Sequence, residues 1–413
     1  MGGYSADSPA PFRLPAMPRS DSLAVRVLLT ALVAFGPLST DLYLPSLPTL
    51  VTVFGTDIVT VQLTLSVFLV GFAAAQLVYG PLSDRFGRRP ALVGGISIYL
   101  AASVACALAA SIDQLIVARV FQAVGACCGP VVARAVVRDV FGRDRAATVL
   151  AYMSMAMSLA PAVGPVLGGV LTELFGWRAN FVTLALIAVA VLAATLLLLR
   201  ETNAHLDEEA LKPARLFGNY LRLLGNRAYV GYMLTVACAY SGIFSFISGS
   251  SFVLIGRLKL SPAEYGLSFG AVVLGYMTGT FLAGRVSQRL GIDRMVRLGT
   301  LVSAGGGLAG LALAVADVAS VPAVVGPMFV FMVGTGLTMP NAMAGAVGPY
   351  PTMAGLASAL LGFVQMTVAA LVGIGVGHFH DGTALPMMAA VAAVGLGAAA
   401  AYRTLAAKGA AAA

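Results

Sequence analysis

Residues 182–199 read VTLALIAVAVLAATLLLL, eighteen consecutive positions without a charge. A helix of that length is ~27 Å long, close to the ~30 Å hydrocarbon core of a bilayer. Outward from this stretch the pattern repeats. Apolar runs at about 23–50, 58–82, 90–110, 112–138, 145–172, 178–200, 227–255, 262–284, 294–315, 322–346, 353–377 and 384–406 predict twelve spans. Composition agrees, with 59% hydrophobic and 10% charged residues, against about 25% charged in a soluble domain. The predicted fold class is an all-α polytopic membrane protein.

The longest connection, 201–226, is polar and carries Asp207, Glu208, Glu209, Lys212 and Arg215. It divides the chain into a tail (1–22), a six-helix bundle (23–200), a linker (201–226), a second six-helix bundle (227–406) and a short tail (407–413). Pro9, Pro11, Pro15 and Pro18 point to a disordered first tail. That tail is too polar to begin a signal peptide, and the first apolar run is too long for a cleaved signal core. The formal net charge of +8 lies in short loop clusters without interleaved aromatics, so nucleic acid is not the expected partner. With the N-terminus inside, twenty of 25 basic residues face the cytoplasm and only Arg178, Arg257 and Lys259 face out. Such asymmetry places both termini in the cytoplasm. Cys106, Cys127, Cys128 and Cys238 fall in spans without a framework spacing, so no disulfides are expected.

The two bundles share a repeat. Gly80-Pro81-Leu82-Ser83-Asp84-Arg85-Phe86-Gly87 follows span two, and Gly284-Arg285-Val286-Ser287-Gln288-Arg289-Leu290-Gly291 follows span eight. Four of eight positions are identical at an offset of 204, which also relates Gly71 to Gly275. Duplicated parallel halves place a site between them near the bilayer midplane.

Charges inside spans mark the chemistry. Of the 17 acids only Asp41 falls well inside a span, where insertion costs about 2.5–3.5 kcal/mol. A partner, a watery cavity or protonation keeps it there, so proton exchange is one reading and a fixed, helix-orienting ion pair is the other. Arg119 in span four lies at matching depth and is the expected partner. The plainer alternative is that Arg119 only bonds backbone carbonyls and neighbouring helices. The loop 80–90, continuing through Arg88, Arg89 and Pro90, is both a topogenic basic cluster and a possible latch. In it Asp84 can face a helix N-terminus or an arginine. In span five, Ala160, Gly164 and Gly168 form a flat face that lets helices approach closely, while Pro161 and Pro165 favour a bend. Such a span either seals an outer gate or simply packs.

These stretches also carry a family resemblance. Loop 80–90 resembles the signature loop of major-facilitator transporters. Arg119-Val120-Phe121-Gln122-Ala123-Val124-Gly125-Ala126 resembles their span-four motif, departing at Ala123, and 160–169 resembles the span-five antiporter motif of exporters. Ser39-Thr40-Asp41-Leu42-Tyr43-Leu44-Pro45-Ser46-Leu47-Pro48 is similar to the Bcr/CflA branch of drug:proton antiporters, with bicyclomycin and amphenicol exporters. Pro340-Asn341 and 354–359 resemble later spans of that branch.

The resemblance implies a major-facilitator fold and a proton-coupled multidrug antiporter of the bacterial inner membrane, without a cofactor and monomeric. Asp41 would be the proton- and substrate-responsive acid, Arg119 its basic partner and Asp84 the latch. Gly80, Arg85, Gly87 and Arg88 complete the loop motif, and Gly164, Pro165 and Gly168 are conformational elements. Gln288 stands where the second loop would need an aspartate, which argues against a symmetric latch. Val33, eight residues before Asp41, is apolar, which argues against two-acid handling of divalent cations. Asp41, Tyr43, Arg119, Gln122, Met153, Met157, Tyr240, Phe244, Tyr276, Asn341 and Gln365 are the expected lining of a substrate cavity. Met and aromatic surfaces adapt to varied amphiphiles, but the same residues also serve as packing. His205, His378 and His380 form no metal motif, and no phosphate-cradling loop is present, so an enzyme is not expected. Two rivals remain: a transporter of one physiological metabolite, and a membrane sensor or scaffold that moves nothing.

Overall fold

A computed structural model describes residues 22–203, 206, 220–350 and 353–407, apart from the side chains of 142–148, 150–152, 154–159, 162 and 354. The described residues are mostly helical and include no strand. Ten described helices are long and apolar enough to cross a bilayer, eleven if the bent first pair counts as one span. Local chemistry sets their ends. The Asp57, Ser111 and Ser261 side chains accept backbone N–H bonds at the starts of Ile58–Phe86, Ile112–Phe175 and Pro262–Leu290. Such caps satisfy donors that a helix start leaves orphaned.

Span one is not the single rod expected over 23–50. Leu23–Val33 and Phe35–Phe54 meet at 43°, and the second piece passes through a 3₁₀ turn at Leu44–Ser46. Prolines explain this, because Pro37, Pro45 and Pro48 carry no N–H for the preceding turn.

Spans four and five also differ from expectation. No non-helical loop separates them, and the helix is unbroken from Ile112 to Phe175. Yet Arg119 bonds Ser39, and a Cβ on Gly164 would sit 3.0 Å from that of Asp41. Both positions therefore touch one short piece of span one, whereas 45 residues of straight helix would part them by ~68 Å. The chain doubles back between them.

The duplication is visible in the backbone. Gly87 and Gly291, 204 positions apart, both have positive φ, +99° and +80°. Gly71 and Gly275 are both close-approach points, the first against Val120 and Ala123, the second against Phe329 and Met332. We call the end of the bundle that carries Ser22, Glu201, Arg227 and Ala406 proximal, and the opposite end distal. Between the halves, span five meets span eight distally, where Gly169 abuts Pro262 and Gly266 abuts Pro165. There the Glu173 carboxylate accepts the Ala263 N–H at 3.1 Å.

Candidate functional site

Asp41 is 2% exposed and sits just beneath this distal seal. Gly164 packs on its Cβ, and Gly168 packs on the carbonyl of Leu42, the next residue. Tyr240 and Tyr265 from the other half lie within electrostatic reach of its carboxylate. Among the described residues its single hydrogen-bond donor is the Thr40 hydroxyl at 3.1 Å. A carboxylate so enclosed is poorly solvated when ionised.

Arg119 does not pair with it. The Arg119 guanidinium, fully buried, donates from Nη1 to the Ser39 carbonyl (2.8 Å) and Gln122 Oε1 (2.5 Å), and from Nε to the Thr64 carbonyl (3.3 Å). It lies between the Tyr43 and Phe68 rings, 4.6 and 4.3 Å from their centroids. The plainer sequence alternative describes these contacts. They also tie Arg119 to the backbone two residues before Asp41. Equal depth in the bilayer fixes height but not facing, and here the charge faces span one's backbone.

A buried polar circuit continues from it. Gln122 Nε2 donates to Ser103 Oγ, Ser103 Oγ donates to the Tyr99 carbonyl, and the Tyr99 hydroxyl shares a hydrogen bond with Ser39 Oγ. Tyr43 shares a hydrogen bond with Thr64. Tyr43 and Gln122 are therefore held inside the first half, with 0% exposure each. Met153 is likewise buried, and the Met157 side chain lies outside the described residues. In the second half Phe244 packs on Gly373, Asn341 donates to the Leu337 carbonyl, Gln365 is buried, and Tyr240 and Tyr276 are partly exposed. Tyr265, bonded to Ser250, was not singled out by sequence. Its position near the start of span eight gave no signal.

At the proximal end Asp84 meets an arginine rather than a helix terminus. Arg88 bonds Asp84 (2.5 Å), Ser83 (2.7 Å) and Asp139 (3.0 Å). The helix start is taken by Glu201, which sequence reading missed. Its carboxylate accepts the N–H groups of Arg88 and Arg89 at 2.9 and 3.0 Å. Burial pushes the Glu201 carboxyl up, but backbone N–H bonds from Asn203, Arg88, Arg89 and Thr202 outweigh it and hold it below the usual range. Gly87 is needed there twice, for its positive φ and because a Cβ would strike Glu201 at 2.6 Å. Arg85 lies over Phe86, and Gly80 has open space beside it. The second half lacks the aspartate and uses another arrangement, in which Asp293 Oδ1 accepts from Tyr232 (2.5 Å) and the Asp293 carbonyl accepts from Tyr402 (2.9 Å).

With this geometry in hand, comparison decides the family. The family model of the Major Facilitator Superfamily matches residues 27–374. The chain belongs to this superfamily. It is 31% identical to a chloramphenicol resistance protein of Pseudomonas aeruginosa over 82% of this chain and 80% of that protein. It is 27% identical to a bicyclomycin resistance protein homolog of Haemophilus influenzae over 85% and 88%. These relatives agree with the Bcr/CflA resemblance read from 39–48. A crystal structure of a D-xylose-proton symporter superposes with a TM-score of 0.76, 15% identity and coverage of 92% and 97%. That likeness concerns the fold. The protein is thus a multi-pass membrane protein of the major-facilitator fold, from a transporter family that includes antibiotic-resistance members.

Proposed function

We propose that the protein exports amphiphilic small molecules from the bacterial cytoplasm in exchange for protons, with the proximal end cytoplasmic and the chain in the inner membrane. The observation that carries this reading is Asp41, enclosed under the distal seal with one hydrogen bond from Thr40. An ionised carboxylate there lacks solvation, so the sealed state favours the protonated acid. A proton taken from outside closes the distal gate, and the halves rock to face the cytoplasm. Proton loss to the cytoplasmic side, with substrate entry, prepares the reverse movement. Arg119 acts on this step through the Ser39 carbonyl rather than by contact. The names of the relatives suggest amphenicols and bicyclomycin as first compounds. No cofactor is required, because the proton gradient supplies the work.

The test is a drug-susceptibility panel in an efflux-deficient bacterium. It compares wild type, Asp41→Asn at matched membrane expression, and empty vector. Protection by wild type that Asp41→Asn loses is the expected result. No protection by well-expressed wild type moves the single-metabolite reading to first place. Full protection by Asp41→Asn removes Asp41 as the coupling acid.

A further inference from the structure

The seam between spans two and eleven is built from two glutamines resting on two glycines. A Cβ on Gly377 would collide with Gln62 Oε1, and one on Gly362 would sit 2.6 Å from the Gln76 amide. Gln62 lies distally and Gln76 proximally on Ile58–Phe86, while Gly377 and Gly362 take the matching ends of Ala354–His378. The helices are antiparallel and touch at both ends.

Only Gln62 reaches further. Its Nε2 donates to the backbone carbonyl of Ser248 in span seven at 2.8 Å, a buried bond between the halves. Its Oε1 is buried and has no partner among the described residues, and neither does Ser66 Oγ one turn deeper on the same helix. So the amide is held by one bond, made across the plane along which the halves must part. An interaction present in one state and absent in the other biases the equilibrium between them.

We propose that Gln62 is the positioning residue that holds the distal gate shut above Asp41, by clasping the Ser248 carbonyl while Gly377 leaves room for its amide. This rests on the alternating-access reading above. The acceptor is backbone, so the bond is broken only from the glutamine side or by filling the glycine. The unpaired Oε1 keeps the clasp weak, as a gate that must reopen each cycle requires.

The experiment needs no substrate and no assumed orientation. The four native cysteines are replaced, and a Ser66→Cys reporter, 1% exposed in the closed structure, is introduced. The purified full chain in lipid nanodiscs is reacted with a maleimide. Gln62→Ala is expected to raise the labelling rate about fivefold, the scale of one buried hydrogen bond. Gly377→Ala is expected to raise it likewise, because the new Cβ displaces the amide. Gln62→Glu supplies a signature that loosened packing would not give. Ionised, it sets an acceptor against the Ser248 carbonyl and labels fast. Protonated, it donates to that carbonyl and labels slowly. Its labelling therefore falls as pH falls, relative to the reporter background at each pH. Unchanged labelling in both Gln62→Ala and Gly377→Ala, with native melting temperatures, overturns the proposal, and so does a Gln62→Glu profile parallel to the background. Shifted labelling in a protein that exports nothing would leave the clasp standing and remove the export reading.

Discussion

Arg119 is a buried charge with no carboxylate bonded to it among the described residues. Carbonyls, an amide and two aromatic faces replace the counter-ion, and a planar guanidinium suits all of them. Lysine keeps the charge but cannot lie flat between Tyr43 and Phe68 while bonding Ser39, Thr64 and Gln122. Arg119→Lys is therefore expected to destabilise the purified protein by about 2–4 kcal/mol, from the loss of hydrogen bonds to a charged group. Thermal unfolding checks this, and drug protection should fall with it. Unchanged melting would mean that the stacked circuit carries little of the stability. Sequence singled out Asp41 and Arg119 because charge in a span is costly whatever it touches. It could not assign the Ser39 carbonyl as partner, since every residue carries a carbonyl and only azimuth selects one. Glu201 was hidden for a related reason: an acid at the end of an apolar run looks like any loop residue until the fold lays it on the Gly87 turn.

At the scale of elements, glycines that look alike in a motif separate by what stands beside them. Gly168 packs directly on the Leu42 carbonyl, so a side chain there pushes span five off the segment that carries Asp41. Gly80, equally prominent in the loop motif, has nothing within 4 Å of its would-be Cβ. Gly168→Val should reach the membrane yet lose drug protection, while Gly80→Ala should keep protection within about twofold, because a free helical position gains rather than loses from alanine. Equal loss in both would show that the Gly80 motif position matters in a state other than the sealed one. The small-residue face of span five was legible from its spacing alone. Its partners were not, since spacing shows that a face is flat and never which helix lies against it. The prolines of span one were equally visible, but a bend of 43° at Ala34, one turn before Pro37, needed the surrounding helices to define it.

Over the whole molecule, Asp41 is the one acid buried among the described residues, and Val33 supplies no second acid in span one. On the proposed reading, a single coupling carboxylate moves at most one proton per cycle, and the electrical character of export then depends on the substrate. Exchange of one proton for an uncharged amphenicol carries one net charge inward, so membrane potential contributes ~2.3 kcal/mol per 100 mV. Exchange for a monovalent cation is electroneutral and gains nothing from potential. Proteoliposomes with equal pH on both faces and a potassium–valinomycin potential separate the cases. A potential positive on the face corresponding to the cell exterior should drive amphenicol toward that face and leave a monovalent cationic dye unmoved, whereas a pH gradient should drive both. If the dye also responds to potential alone, more than one charge accompanies it. The extra proton would then need a carrier other than Asp41.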